Sequence, residues 1–252
     1  MAKKILLAGE SWTSIRTDIK GFDSFSTCTY ETGEKWIKGA LERGGYDFEF
    51  LPNHHINEYF PFTVEELSKY SCVILSDTGS NTLLLPGVTF TRSQAKPNRC
   101  TVIRDYVLSG GSLLMVGGYF SFSGIDAKAR WGKTDVQEVL PVKVLDVDDR
   151  CEHCEGINPV SVKPHKALEK VKGPWPCFLG YNKTELLPGS ELAMTIGGDP
   201  FIAFAKHGRG KSAVFTSDCA PHWGPPAYIE WEYYDALWQG IAGYLTSSSD
   251  NN

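Results

Sequence analysis

The sequence has no long hydrophobic run. Its apolar segments, such as KILLAG (residues 4–9) and SLLMVG (112–117), are short, against the roughly 20 residues that a membrane-crossing helix needs. A membrane is therefore not an expected partner. Basic clusters are missing too. The 25 lysines and arginines stand against 30 acidic residues, for a net charge of −5. Without a basic patch to neutralise phosphates, nucleic acid is not an expected partner either. The opening MAKKILLAGESW carries two lysines and an apolar run, but the run is too brief for an export signal and the charged Glu10 comes directly after it. It reads as the first core strand. Seven cysteines, an odd number, beside no export signal read as reduced thiols in a cytoplasmic protein. No internal repeat or low-complexity linker divides the chain.

What is present is ample core material, with 42% of residues apolar, enough for one large domain over residues 1–246 and a disordered tail at 247–252. Strand and helix patterns alternate through the first half. KILLAG, DFEFLP (47–52), CVILSD (72–77) and SLLMVG read as buried strands. Residues 31–43 read as a helix with Trp36, Ile37, Ala40 and Leu41 on one face, stopped by Gly44 and Gly45. Thr63 with Glu66, and Thr134 with Gln137, are capping-box pairs. A long polar loop, a candidate lid, spans 80–97, and residues 99–108 form the next helix with Val102, Ile103, Tyr106 and Val107 inward. This order predicts an α/β fold: a flavodoxin-like, doubly wound, mostly parallel sheet with helices on both faces. VKVLDV, NPVSVKP, ELAMTI and PFIAFAKH predict additional antiparallel strands in the C-terminal half, and HGRGKSAVF a hairpin. The last helix runs from about 228 to 245, with Tyr234, Leu237, Trp238, Ile241 and Leu245 as its buried stripe.

In such a sheet the strand C-termini line one crevice. Four clusters fall there: Gly9, Glu10, Ser11 and Trp12; Asp77 to Asn81; the turn GGYFSFSG (117–124); and Asp218, Cys219, His222 and Trp223. Asp218 and His222 suit a general-base couple; alternatively Asp218 caps the next turn and His222 packs beside Trp223. Ser121 is a nucleophile if a base lies in reach, and otherwise a hydroxyl that satisfies turn backbone. CEHC (151–154) has metal-ligand spacing, but no second C-x-x-C completes a zinc module and its acidic surroundings are not those of a redox pair. Cys151 and Cys154 read as loop thiols, and no metal or cofactor is assigned. His54 and His55, on an extended segment, would point to opposite sides. GRGK (208–211) lacks P-loop spacing and reads as a hairpin turn.

LSDTGSN (75–81), LLMVGGYFSFSG (113–124), LPV (140–142), WPCFLGYN (175–182) and above all GRGKSAVFTSDCAPHWG (208–224) resemble the putative glutamine amidotransferase family of uncharacterised cytoplasmic proteins, within the class I glutamine amidotransferase-like superfamily. That resemblance implies a flavodoxin-like sheet. It also implies a site: a cysteine in a G-x-C-x-G elbow, and an H-x-E pair after a later strand. Here Gly117, Gly118, Tyr119, Phe120 and Ser121 occupy the elbow, and Gly224 stands two residues after His222. Neither tyrosine nor phenylalanine replaces a thiolate as acyl acceptor. The expected function is an amidotransferase-like protein without thiolate glutaminase chemistry. Its crevice would bind a small polar metabolite or sugar through Glu10, Ser11, Trp12, Asp77, Gly118, Tyr119 and Trp223. Two alternatives stand beside it. One is a hydrolase using His222, Asp218 and either Ser121 or water. The other is a homo-oligomeric assembly subunit that docks through the aromatic-rich segment 223–238.

Overall fold

Three central strands are buried along almost their whole length, as their unbroken apolar runs require: β1 (Lys4–Gly9), β5 (Cys72–Ser76) and β6 (Ser112–Val116). The computed structural model describes residues 2–247. The other first-half elements are β2 (Ser11–Lys20), β3 (Asp23–Thr32), β4 (Asp47–Pro52), α1 (Lys35–Arg43), α2 (Asn53–Tyr59), α3 (Val64–Leu67), α4 (Asn81–Leu84), α5 (Gly87–Arg92) and α6 (Arg99–Leu108). The second half contributes β7 (Val142–Val144), β8 (Arg150–Ile157), β9 (Val160–Ser161), β10 (Phe178–Asn182), β11 (Thr184–Leu186), β12 (Glu191–Ile196), β13 (Asp199–His207), β14 (Gly210–Phe215), α7 (Pro226–Ile229) and α8 (Tyr234–Leu245).

The main sheet has the order β4-β1-β5-β6-β14-β13-β12-β9. Its first five strands are mutually parallel, and the last three continue it antiparallel. Numbered along the chain, the parallel part runs 2-1-3-4-5, the flavodoxin-like order. Strands alternate their side chains between two cores. Ile5, Leu7, Cys72 and Ile74 face a cluster under α1 and α8. Leu6, Ala8, Val73 and Leu75 face one under α2, α3 and α6. Both faces being covered is why these strands read as continuous apolar runs rather than alternating ones.

Several local expectations change. The helix expected over 31–43 begins only at Lys35, because Glu31 and Thr32 close a β-strand. The unassigned stretch after Trp12 forms an antiparallel hairpin, β2–β3, with ten residues on each strand. The polar loop 80–97 contains two helical turns. Beneath it the buried Arg99 guanidinium donates to the carbonyls of Thr82, Leu83 and Ile56, using its charge to cap helix ends. Arg99, rather than Val102, takes a buried place on α6. The Thr63–Glu66 capping box forms. Thr134 instead bonds back to Trp131, while Gln137 serves Val142 and Val144. CEHC lies on β8, not in a loop, where Cys151 is half-buried and Cys154 is exposed. The last helix breaks into α7 and α8, with the expected stripe buried. Ser247 is held by Lys211 Nζ at 2.9 Å to its carbonyl; the rest of the tail, 248–252, lies outside the described residues.

Candidate functional site

Two strand ends at the crevice carry left-handed residues. Glu10 directly follows β1 and Asp77 directly follows β5, and both adopt left-handed backbone, with φ of +46° and +43°. Such conformations are uncommon outside glycine and cluster where function holds a residue in place. They sit where the sheet order reverses, between the first and third parallel strands, the usual ligand position in this architecture. Glu10 is buried. Its Oε1 accepts a 2.5 Å hydrogen bond from the Ser76 hydroxyl, and its Oε2 lies so close to Gly33 that a Cβ there would stand 2.4 Å away. Asp77 Oδ1 accepts the Phe120 amide at 2.7 Å.

Asp218 enters from beyond β14. Its Oδ1 accepts the Ala220 amide at 2.9 Å, and its Oδ2 stands 3.7 Å from His222 Nδ1. Burial pushes the Glu10 carboxyl well above its ordinary range, and the Asp218 and Asp77 charges push it further. Burial first, then Asp218, lifts Asp77 to about 6. Burial also raises Asp218, although the His222 ring opposes it. His222 moves up, chiefly through its contact with Asp218, which favours the imidazolium. The three carboxyl groups compete for charge, so each is biased towards its protonated form relative to an isolated carboxylate.

These groups face one cavity of about 320 Å³, lined by Glu10, Trp12, Asp77, Tyr119, Phe120, Asp218, Ala220, Pro221 and His222. Tyr119 meets His222 edge-on at 4.4 Å between ring centroids, and the Arg150 guanidinium lies over its ring at 4.7 Å. A second cavity of about 710 Å³ adjoins across Trp12, Asp77 and Phe120. Ser11, Asn53, Asn81 and Arg130 are among its walls. The structure thus brings Glu10, Trp12, Asp77, Tyr119, Asp218 and His222 together, and puts Ser11 in the neighbouring space.

Other singled-out residues stand elsewhere. The Ser121 hydroxyl donates to the Val116 carbonyl at 2.5 Å and accepts the Asp77 amide at 3.0 Å. It pins the turn and does not line the cavity with His222. Trp223 is buried behind His222, its Nε1 donating to Glu152 at 3.0 Å, so it supports the wall rather than forming it. Gly118 is buried as well, its amide donating to Asn182 Oδ1 at 2.9 Å. Cys219 is buried, and burial together with Glu10 and Asp218 raises its thiol well above the ordinary value. Glu10, Asp218 and Cys219 offer three potential ligand atoms within 4.8 Å of one another, yet all three groups are biased towards the protonated form that metals must displace. His54 and His55 lie on α2, not on an extended segment, with rings 4.1 Å apart. Gly208 and Arg209 form the β13–β14 turn.

Sequence reading missed Ala220 and Pro221 in the wall, and named Phe120 only as part of the elbow turn. It also missed the clamp behind the elbow: Asp149 accepts the amides of Ser123 and Gly124, each at 2.8 Å, and the Asn182 side chain at 2.9 Å. The YN of WPCFLGYN and the DD before Arg150 carried no spacing signal, because the clamp joins segments 25 to 64 residues apart.

A family model described as "Putative glutamine amidotransferase" matches residues 4–247. The chain belongs to this family. Two solved relatives share 41% identity with this amidotransferase-like chain at a TM-score of 0.93: Cytoplasmic Protein STM3548 from Salmonella typhimurium, with 96% of this chain and 98% of that one covered, and Cytoplasmic Protein STM1381 from Salmonella typhimurium LT2, with 97% and 100% covered. A ThuA-like protein from Bacteroides uniformis, 9% identical at a TM-score of 0.51 with 95% and 89% covered, shares the fold alone. Among curated proteins no sequence matches significantly. No helix among the described residues is long and apolar enough to cross a membrane.

Proposed function

We propose that this amidotransferase-like family member is a cytoplasmic protein that binds a small polar metabolite of the sugar or polyol class, and that it does not hydrolyse glutamine through a thiolate. One observation carries the reading: Glu10, Asp77 and Asp218, from three separate strand ends, converge on one small cavity beside Trp12, Tyr119 and Phe120. A carboxyl that keeps its proton donates a hydrogen bond and an ionised one accepts. A mixture of both suits hydroxyl groups, and the aromatic side chains suit the C–H faces of a ring. The volume is at the lower end of ligand pockets, which run from roughly 300 to 1,000 Å³, so the ligand is small. The elbow supplies Tyr119, Phe120 and Ser121 where a thiolate would be needed, and the Cys219 thiol is buried and held protonated.

The Asp218–His222 contact supports a second reading, a hydrolase in which His222 activates a water and Asp218 orients it. Ser121 drops out of that reading, since both of its hydrogen bonds are spent on backbone. A thermal-shift screen over sugars, polyols, amines and amino acids tests the binding proposal, followed by calorimetry on hits with wild type and Asp77→Asn. The reading requires a hydroxylated ligand whose affinity falls at least tenfold in Asp77→Asn, with no turnover. Turnover of a hit that vanishes in His222→Gln establishes the hydrolase instead. Glutamine hydrolysis sensitive to Cys219→Ser would overturn the proposal.

A further inference from the structure

The β2–β3 hairpin is ten residues long on each strand, about 34 Å at ordinary strand rise, and nearly every residue from Trp12 to Glu31 is exposed. An isolated two-stranded ribbon is marginal in water. Its pairing register sorts its side chains by face. Thr13 with Tyr30, Ile15 with Cys28, Thr17 with Ser26 and Ile19 with Ser24 form one face without a single charge. The opposite face carries Arg16, Asp18, Lys20, Asp23 and Glu31. At the tip, a two-residue turn with Gly21 at φ +64° presents Phe22 at 109% exposure. Ile15 and Ile19 are 73% and 74% exposed.

The uncharged face continues onto the body. The Tyr30 ring meets His54 edge-on at 5.1 Å, His54 lies 4.1 Å from His55, and His55 meets Tyr59 at 5.5 Å. Tyr30 and Tyr59 are 50% and 63% exposed. With a large side chain presenting about 200 Å², Ile15, Ile19, Phe22, Tyr30 and Tyr59 together expose roughly 700 Å². That approaches the ~800 Å² each partner buries in a standard specific interface.

We propose that this face is where a second copy of the chain docks, arm against arm across a two-fold axis. Charge favours a copy of itself over other partners. Two basic and three acidic side chains leave the arm almost neutral, so it has no field to draw a nucleic acid or a strongly charged peptide, and an uncharged face is complementary to its own image. The segment 223–238 is a poor competitor, because Trp223, Tyr228, Tyr234, Leu237 and Trp238 are already buried within one chain. The uncharged face borders the larger cavity through Thr13 but contributes nothing to the 320 Å³ cavity, which the arm reaches only through Trp12, on the charged face at its base, with Nε1 donating to Glu31 at 3.0 Å. Ligand binding and assembly can therefore fail independently.

Sedimentation velocity at micromolar concentrations, with light scattering, tests the proposal. Wild type sediments as a dimer or an even-numbered assembly of dimers. Ile15→Asp/Ile19→Asp, and a short hairpin in which an Asn-Gly turn replaces residues 15–28, both halve the assembly. Their thermal midpoints, read where wild type is dissociated by dilution, stay unchanged because neither edit touches the core. Arg16→Ala, on the charged face, leaves the assembly intact. Peptide-mapped alkylation of Cys28 is slow in wild type and fast in the double variant. A monomeric wild type overturns the proposal, and so does an assembly that survives the double variant or a wild-type Cys28 that is alkylated as fast as in that variant.

Discussion

The Ser76 hydroxyl, on the last residue of β5, donates a 2.5 Å hydrogen bond to Glu10 Oε1, on the first residue past β1. This bond ties the two neighbouring strand ends at the point where the sheet order reverses, and it aims the other Glu10 oxygen at Gly33.

Gly33→Ala should therefore disturb the crevice from outside it. The added Cβ would stand 2.4 Å from Glu10 Oε2 and 3.1 Å from the Ala220 Cβ. The carboxylate must move, at a cost of about 1–3 kcal/mol typical of overpacking. Thermal unfolding reads the loss. An unchanged midpoint would mean that Glu10 does not occupy this position.

Stability should fall as pH rises from mildly acidic to neutral. Glu10, Asp77, Asp149 and Asp218 all have folded-state values raised by burial, and His222 is raised by Asp218. The folded state binds more protons than the unfolded chain. The associated stability is complete below the unfolded values and is lost as pH climbs through the folded ones. Asp149, buried and lifted to about 6, lies about two units above an ordinary aspartate, on the order of 3 kcal/mol. Asp148 has the opposite sign, held low by Arg150, and loses its contribution only in strong acid. A melting-temperature scan should peak near pH 5 and decline towards 8, less steeply in Asp77→Asn. A curve that rises over that interval refutes the assignment.

The His222 ring should titrate above ordinary histidine, and Asp218→Asn should lower it. The Asp218 oxygen 3.7 Å from Nδ1 is the main cause of the rise, and the amide carries no charge to stabilise the imidazolium. Imidazole resonances followed by NMR across pH 5–8 decide the point. Equal values in the two proteins would break the proposed couple.

Ser121→Ala should cost stability without altering ligand affinity. Removing the hydroxyl deprives the Asp77 amide of its acceptor. An unsatisfied buried donor costs about 1–3 kcal/mol. Denaturant unfolding and calorimetry with a hit ligand separate the two effects. Turnover abolished at unchanged stability would restore Ser121 as a nucleophile.

Much of the fold is legible in the chain because both sheet faces are covered. KILLAG, CVILSD and SLLMVG can only be buried strands, and their alternation with helical patterns leaves few topologies. The hairpin is not legible in the same way. Its Ile15, Ile19 and Phe25 face solvent rather than core, and its Gly21–Phe22 turn departs from the Gly-polar pairs that usually mark a two-residue loop. CEHC shows the same limit in reverse. Its spacing suggests one site, and the strand that carries it leaves one thiol half-buried and the other exposed.

For the site, residue types and their positions after the strands were enough to select Glu10, Trp12, Asp77, Tyr119, Asp218 and His222. A parallel sheet must deliver its C-termini to one edge, whatever the side chains are. Which of the candidates face the cavity was decided by contacts between distant segments. Ser121 spends its hydroxyl on Val116 and Asp77, Trp223 turns inward to Glu152, and Asp149 with Asn182 fixes the elbow from behind. Periodicity records which side of a strand or helix is apolar. It holds no information on hydrogen bonds between side chains and backbone dozens of residues apart, and those bonds separate the wall of this crevice from its frame.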